Sequence, residues 1–426
     1  VTWVNNDDTL HTVTADDDLF DSGGLGPGDE WSYYFNDTGT YDYHCEYHGS
    51  MSGTVVVESH VLIVDINGNG DYTSIQDAID ASESGYTIYV MDGVYYEVLE
   101  IDVSVTIIGN GTHDTIINGT WPESDNVAIK ASSVTLRNVV IETGGNSTNY
   151  ACLSIWNDGS EATVDNVFVR DCTHGIKISA NDVNITGSTI TDMGTVGVGV
   201  LVTEYSSNFR LSNSVVSHGN NGVLVELGAY PVLIEDNHIH NNTNVGIRSE
   251  SYGVTIRGNT IVDNHDDGIW IEGRPSDDVD TTIVGNTILR NGEDGIFLNT
   301  GSDISLIDNN IIKSNSRYGI HIYSSSNIGL RDNKIRFNTE YDLYFASSSS
   351  NNALNTLFDT ISVDSQSDLT VRNYLSVSVF EGGNSSLSGV HVRVLEESAV
   401  LYATSYFDDG TDPTTGENGT IGGIIV

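Results

Sequence analysis

From residue 59 onward, apolar and polar positions alternate in short runs that recur at a nearly constant interval. A glycine followed by an alternating apolar stretch falls at Gly175, Gly199, Gly222, Gly246, Gly268, Gly295 and Gly319, with Asp342 in the next slot. The steps are 24, 23, 24, 22, 27, 24 and 23 residues. A second marker, usually Asn before an apolar run, falls at Asn213, Asn237, Asn259, Asn286, Asn309 and Asn333, and it lengthens at the same turn. The extra residues fit an insertion at 274–280, bulging from a single turn. A period near 24 built from short strands and Gly/Asn turns predicts a solenoid, because one turn cannot bury its apolar face alone. Pairs such as Ile269 and Ile271, Ile296 and Leu298, and Ile320 and Ile322 then point inward, and the Asn markers stack as a ladder. Residues 72–82 (YTSIQDAIDAS) place Ile75, Ala78 and Ile79 on one helical face. This predicts a short helix that caps the open end of the column and blocks edge-to-edge pairing.

The flanks read differently. Residues 1–58 break into short strands with turn punctuation: Thr2–Asn5, a run beginning at His11, Glu30–Phe35, and Gly39 onward into an apolar strand at Gly53–Glu58. Residues 373–426 alternate at period two over Leu375–Val379 and Gly389–Leu395, with Gly382, Gly383 and Asn384 as a turn. The expected fold class is therefore all-β in three parts: 1–58, 59–372 and 373–426. Both ends fall inside strand-like runs, as expected of a chain cut from a longer polypeptide.

The middle part resembles right-handed parallel β-helix proteins of the pectate-lyase-like class. Within that class it is most similar to the group named for NosD, a periplasmic protein linked to copper delivery. The fold hosts lyases, hydrolases, epimerases and inert scaffolds, so the resemblance implies architecture and not activity. The basic cluster of the lyases and the paired-aspartate motifs of the polygalacturonases are not seen in their usual contexts. Counting two positions on from each glycine gives an outward column: Leu201, Leu224, Arg248, Trp270, Phe297, His321 and Tyr344. Two positions further lie Glu226, Glu250 and Glu272. This predicts an aromatic stripe beside a stack of three carboxylates, with His265, Asp266, Asp267 and Asp294 in turns alongside. Such a face suits stacking on sugar rings, and the carboxylates suit Ca²⁺ or an acid/base pair. Exposed apolar patches mark interfaces more often than chemistry. Packing against another domain or the C-terminal tail is thus the leading expectation, ahead of carbohydrate binding and of catalysis.

The N-terminal part carries the sharpest chemical pattern. Copper that cycles between two oxidation states takes one thiolate, two imidazoles and a weak axial thioether. Cys45, His48 and Met51 lie on one loop at C-x2-H-x2-M, and His11 stands 34 residues upstream of Cys45. His44 points away from Cys45 in an extended strand and is excluded. The phrases TWVNNDDTLHTV, PGDEWSYYF and GTYDYHCEYHGSMSGTVVV resemble the cupredoxins, the plastocyanin-like blue copper proteins, and specifically their amicyanin and halocyanin branch. That resemblance implies a type 1 copper site of His11, Cys45, His48 and Met51, single-electron transfer, and a redox partner protein. The family's proline after the second loop histidine is replaced by Gly49, and its first three strands would precede Val1. The C-terminal part resembles the opening of an immunoglobulin-like or carboxypeptidase-regulatory-like sandwich, too short to complete one.

Composition adds two constraints. With 16 basic and 60 acidic residues, the net charge is −44. Such a surface repels nucleic acid and anionic membranes and suits high salt, where screening removes self-repulsion. With the halocyanin-like loop, this points to a halophilic or marine archaeon. No run approaches the roughly 18 apolar residues of a membrane span, so a secreted or cell-surface location is expected. Three cysteines leave Cys152 and Cys172 beside Cys45, either as a disulfide between neighbouring turns or as buried thiols. The preferred expectation is an extracellular copper protein carried by its β-helix, an electron carrier or surface protein rather than an enzyme. The rivals are a secreted polysaccharide-binding or polysaccharide-cleaving β-helix, and a subunit of a surface layer or fibre.

Overall fold

The computed structural model describes residues 1–57, 60–119, 124–144, 150–273, 281–300, 304–381, 385–396, 399–403, 412–417 and 420–425. The chain divides into two compact units, Val1–Val61 and Leu62–Val426. The insertion expected at 274–280 and the turn expected at 382–384 lie outside the described residues.

The larger unit is a parallel solenoid of three sheets, with 14, 12 and 12 strands. Successive turns pair in register, so each side chain sits about 4.8 Å above its counterpart. The first sheet runs from Val61–Val64 to Leu369–Arg372, and the third from Leu99–Ile101 to Ile361–Val363. Its interior is one mainly aliphatic column from Val64 to Ala353, with Tyr95, Phe209 and Phe345 as buried rings, and it includes the predicted Ile269, Ile271, Ile296, Leu298, Ile320 and Ile322. Truncating one such buried isoleucine to alanine typically costs about 2–5 kcal/mol.

The recurring glycines answer to sterics. A Cβ on Gly246 would lie 2.6 Å from the Gly268 carbonyl oxygen and 2.8 Å from the Asn264 amide nitrogen. At Gly246 no side chain fits against the next turn.

The Asn ladder exists, with two corrections. Asn237, Asn259, Asn286, Asn310 and Asn333 form it, each Nδ2 donating to the next Oδ1 at 3.0–3.1 Å. Asn213 and Asn309 are instead the left-handed residues before the ladder, at φ 50° and 53°. Asn tolerates that conformation, which is why the marker drifts between adjacent positions. A second buried ladder runs Asn242, Asn264, Asn291, Asn315, Asn338 and ends on Asp342. Asp342, in the glycine slot, thereby terminates the ladder.

The capping helix is shorter than expected, Ile75–Asp80. Ser74 is its N-cap, accepting from the Asp77 N–H, while Tyr72 is held by backbone bonds to Ile63 and Asp65. Glu97 accepts from the Ile75 and Gln76 N–H groups at 3.0 and 2.9 Å. A carboxylate is favourable at these unpaired N–H groups.

Cys152 and Cys172 form a disulfide between neighbouring turns, with Cα atoms 5.8 Å apart. Beyond the last turn, Tyr374–Ser378 pairs antiparallel with Thr420–Ile425. Arg393–Glu396 and Ala399–Ala403 make a further ribbon.

The smaller unit is antiparallel throughout. Thr2–Val4 pairs with Glu30–Ser32, and Thr14–Ala15, Gly39–Cys45 and His48–Val57 form a three-stranded sheet. Val13, Ala15, Phe20 and Leu25 are its buried core. Half-buried Trp3, Trp31, Tyr33, Phe35, Tyr41 and Tyr43 surround them.

Candidate functional site

Two regions carry chemistry, one in each unit. In the smaller unit the register slips at the end of the hairpin. His44 faces Ser52 but Cys45 faces His48, which leaves Gly49–Met51 as an inserted bulge. His11 is brought in by an isolated bridge to Leu25. Cys45 Sγ then lies 3.6 Å from Nδ1 of His11 and 3.6 Å from Nδ1 of His48. The two Nδ1 atoms are 3.1 Å apart. Among the described residues this is the group of His, Cys, Asp and Glu donors close enough together to hold a metal ion.

The surroundings orient each donor. His11 Nε2 meets Asp7 Oδ2 and Thr9 Oγ1, both at 3.0 Å. A ring nitrogen occupied by a carboxylate leaves the other free to ligate. The Thr12 N–H donates to Cys45 Sγ at 3.4 Å, and Thr12 Oγ1 accepts from the Glu46 N–H. Burial alone would raise the Cys45 pKa. The Thr12 N–H, the two imidazoles and the Tyr47 N–H outweigh it and bring the thiol down to about 6. His44 turns away to Asp16, at 2.6 Å. Met51 is 46 % exposed and lines the same cavity of about 300 Å³ as His11 and Cys45. His11 and Cys45 are buried and His48 is exposed, so one edge of the donor set reaches solvent. A soft thiolate with two imidazoles is a donor set that fits copper.

In the larger unit, the outward column is in register as expected: Leu201, Leu224, Arg248, Trp270, Phe297, His321 and Tyr344 stack on successive strands. The carboxylate stack needs correction. Arg248 reaches Glu250 at 3.0 Å and Glu272 at 2.9 Å, and its guanidinium lies 4.7 Å over the Trp270 ring. These two glutamates are clamped by a cation, so a Ca²⁺ ion would have to displace it. Glu226 stands apart. Its half-buried carboxyl is pushed up by desolvation and by the charges of Glu204 and Glu250.

His321 is a second correction. It is 7 % exposed rather than presented on the stripe. It stacks on Phe297 at 4.5 Å and bonds through Nδ1 to Asp294 Oδ2 at 2.7 Å. Asp294 also accepts from the Tyr318 N–H, and its own N–H donates to Asp267 Oδ1 at 2.8 Å. Burial, then the Asp294 charge, raises the Asp267 pKa to about 8. The Asp294 carboxyl orients His321, while Asp267 beside it stays protonated at neutral pH. Of the four turn residues expected beside this face, Asp267 and Asp294 are buried, Asp266 is half-buried and His265 is exposed.

One part of the third sheet was not anticipated. Trp156, 50 % exposed, lines a small pocket with Asp125, Tyr150, Ser154 and Lys177. Lys130 lies 5.8 Å over its ring. Lys177 has no ion-pair partner among the described residues, in a protein with only four lysines. The signal was present in register, since Lys177 stands directly before Leu201 in the outward column.

Comparison with known proteins bears on both units. The description "Right handed beta helix region" matches residues 151–276 and 274–383, more than half of the chain. The chain belongs to the right-handed β-helix family. A pectinesterase description matches residues 61–163 of this β-helix protein. Probable pectinesterase 67 of Arabidopsis thaliana is 39% identical over 80 residues. The alignment takes in 17% of this chain and only 23% of the plant protein. A plastocyanin from Scenedesmus fuscus is 37% identical over 71 residues, covering 14% of this chain and 72% of that protein. Among solved structures, the Agl-KA catalytic domain superposes with a TM-score of 0.57 at 16% identity, covering 87% of this chain and 83% of that one. The A-module of the Azotobacter vinelandii mannuronan C-5 epimerase AlgE6 gives 0.48 at 18%, covering 70% and 84%. At 16% identity the likeness to the Agl-KA catalytic domain speaks to fold alone. Among the described residues, no helix is long and apolar enough to cross a membrane.

Proposed function

We propose that the β-helix engages an extracellular or periplasmic polysaccharide along its third sheet. We further propose that the smaller unit holds one copper ion for single-electron exchange. The polysaccharide reading rests on the aromatic faces of Trp156, Trp270, Phe297 and Tyr344 along one sheet, beside the cation Lys177, which makes no ion pair among the described residues. Flat aromatic faces pack against sugar rings, and a few convergent polar groups then fix orientation. Support comes from the pectinesterase likeness over 61–163, and the disulfide suits an oxidising compartment. The Asp294–His321 pair supplies acid–base groups next to the stripe. The test is equilibrium binding of polygalacturonate and a panel of neutral glycans, with Trp156→Ala and Trp270→Ala as variants. Loss of binding in both variants supports the reading, and unchanged binding or none at all rejects it. Chain cleavage that disappears in Asp294→Asn would make the face catalytic.

The copper reading rests on the convergence of Cys45 Sγ with Nδ1 of His11 and of His48, and the plastocyanin likeness supports it. Met51, which lines the same cavity, would supply a thioether. Bound copper would supply a one-electron couple, and the protein's part is to hold thiolate and imidazoles in place so that little rearranges. Exposed His48 is the edge nearest a redox partner. An intense visible absorption band on adding Cu(II), absent in Cys45→Ser, is the expected result. A colourless protein would reject this reading without touching the first.

A further inference from the structure

The second sheet of the β-helix carries three imidazoles on its outer surface that neither reading uses. His238 and His240 flank the inward Ile239 on the strand His238–His240, so both point outward. His218 follows the neighbouring strand Val215–Ser217, whose Ser217 is in register with His240. The ring centroids of His238 and His240 are 4.3 Å apart, and those of His218 and His240 are 6.2 Å apart. Two imidazoles on one tetrahedral zinc ion, at about 2.0 Å from metal to nitrogen, have centroids about 5 Å apart. The observed separations bracket that value; the three rings are not within joint ligating distance as they stand, and side-chain rotation would close them into a chelate.

The neighbouring groups suit that role. His218 Nδ1 lies 3.1 Å from both Thr191 Oγ1 and Ser217 Oγ. Hydroxyls there accept the Nδ1 proton and free Nε2 to ligate. Asp192 stands 3.9 Å from the same nitrogen. Asp263 is fully engaged by Arg290, at 2.8 and 2.7 Å, and stays outside the set. His218 and His238 are exposed and His240 is half-buried, so the rings have room to turn. The net charge of −44 raises the local concentration of any cation at this surface.

We infer that His218, His238 and His240 form a second, independent site for a borderline divalent metal such as Zn²⁺ or Cu²⁺, with Asp192 beside it. The inference stands apart from the copper reading of the smaller unit, and the test keeps them separate. Zinc chloride is titrated calorimetrically into the full chain carrying Cys45→Ala and His48→Ala, in high salt to suppress weak binding by surface carboxylates. One equivalent of zinc is expected to bind. Adding His240→Gln, or separately His218→Gln, should weaken it on the order of tenfold or more, with circular dichroism and melting unchanged. Absence of the zinc site in the Cys45→Ala, His48→Ala background overturns the inference. Affinity unmoved by both histidine substitutions does so too, since the binding would then belong to the acidic surface.

Discussion

The two units bury their interiors in opposite ways. The β-helix fills its core with isoleucine, valine and leucine, each seated on its counterpart one turn away, and closes the corners with Asn ladders. The smaller unit has four buried apolar residues in its cluster, wrapped by half-buried aromatic rings. Trp3 alone lies within 5.3–6.4 Å of Trp31, Tyr43, Phe20 and Phe35. A repeated core is indifferent to which turn is considered, so chemistry can only be added to its outer faces. A small irregular core instead has singular places, and the Cys45–His11–His48 cluster occupies one of them. Repetition builds surface, whereas irregularity builds a site.

The largest break in this contrast should come from Asn286→Val. The Asn286 amide donates to Ile256 O and Asn310 Oδ1 and accepts from Asn259, all within about 3 Å and fully buried. Stranding these partners should destabilise the β-helix by about 4 kcal/mol, from about 1–3 kcal/mol per orphaned group. Denaturant melts should show the loss while the copper-dependent absorption of the folded protein is unchanged. If that absorption vanished under native conditions as well, the two units would not be energetically distinct.

A second, pH-dependent effect follows from Asp267. Its folded pKa of about 8 stands above the ordinary 3.8. The native state therefore keeps a proton that the unfolded state gives up. Its stabilising contribution is complete below pH 4 and is lost as pH rises toward 8, at up to about 1.4 kcal/mol per pH unit. Asp267→Asn keeps the acceptor for the Asp294 N–H and removes this dependence. The variant should match the parent near pH 4 and be the more stable protein at pH 8. Equal pH profiles would show that Asp267 is ionised in the fold.

Asp7→Ala sharpens the smaller unit's side of the contrast. Removing the carboxylate that holds His11 Nε2 should weaken copper binding roughly tenfold, the lower end for second-layer partners. Competition with a chelator would read the change, and an unchanged affinity would mean that Thr9 alone orients the ring. Arg248→Ala should have the smallest effect, below about 1 kcal/mol on stability, because its pairs with Glu250 and Glu272 are partly exposed. Its consequence should instead be a newly available carboxylate pair, visible as Ca²⁺ binding absent from the parent.

Much of the β-helix was legible because it repeats. The glycine marker located the third-sheet strands from His174–Ile178 to Tyr341–Ala346 and placed Arg248, Trp270, Phe297, His321 and Tyr344 in one outward column. The Asn marker misled by one residue at Asn213 and Asn309, since Asn serves equally well in the ladder and in the left-handed position before it. The column said nothing of how far each member is covered. His321 is buried because Asp294 comes to it from the turn before the neighbouring strand Ile296–Asn299, and Tyr318 packs on it from the start of its own strand. Similarly, Arg248 neutralises a carboxylate stack that alternation alone leaves free. In the smaller unit, the loop spacing marked Cys45, His48 and Met51 together, and the structure converges the first two with His11.

What the sequence determined by itself was periodicity and chemical type. Alternation at period two, glycines where a turn admits no Cβ, and a cysteine spaced from histidines are properties of the chain, and local sterics enforce them. Tertiary structure alone decided which distant side chains meet: Asp267 with Asp294, Lys177 with Trp156, and His218 with His238 and His240. Residues about 20 to 27 positions apart become neighbours only once the coil has closed and stacked, because the length of each turn sets which turn positions face one another.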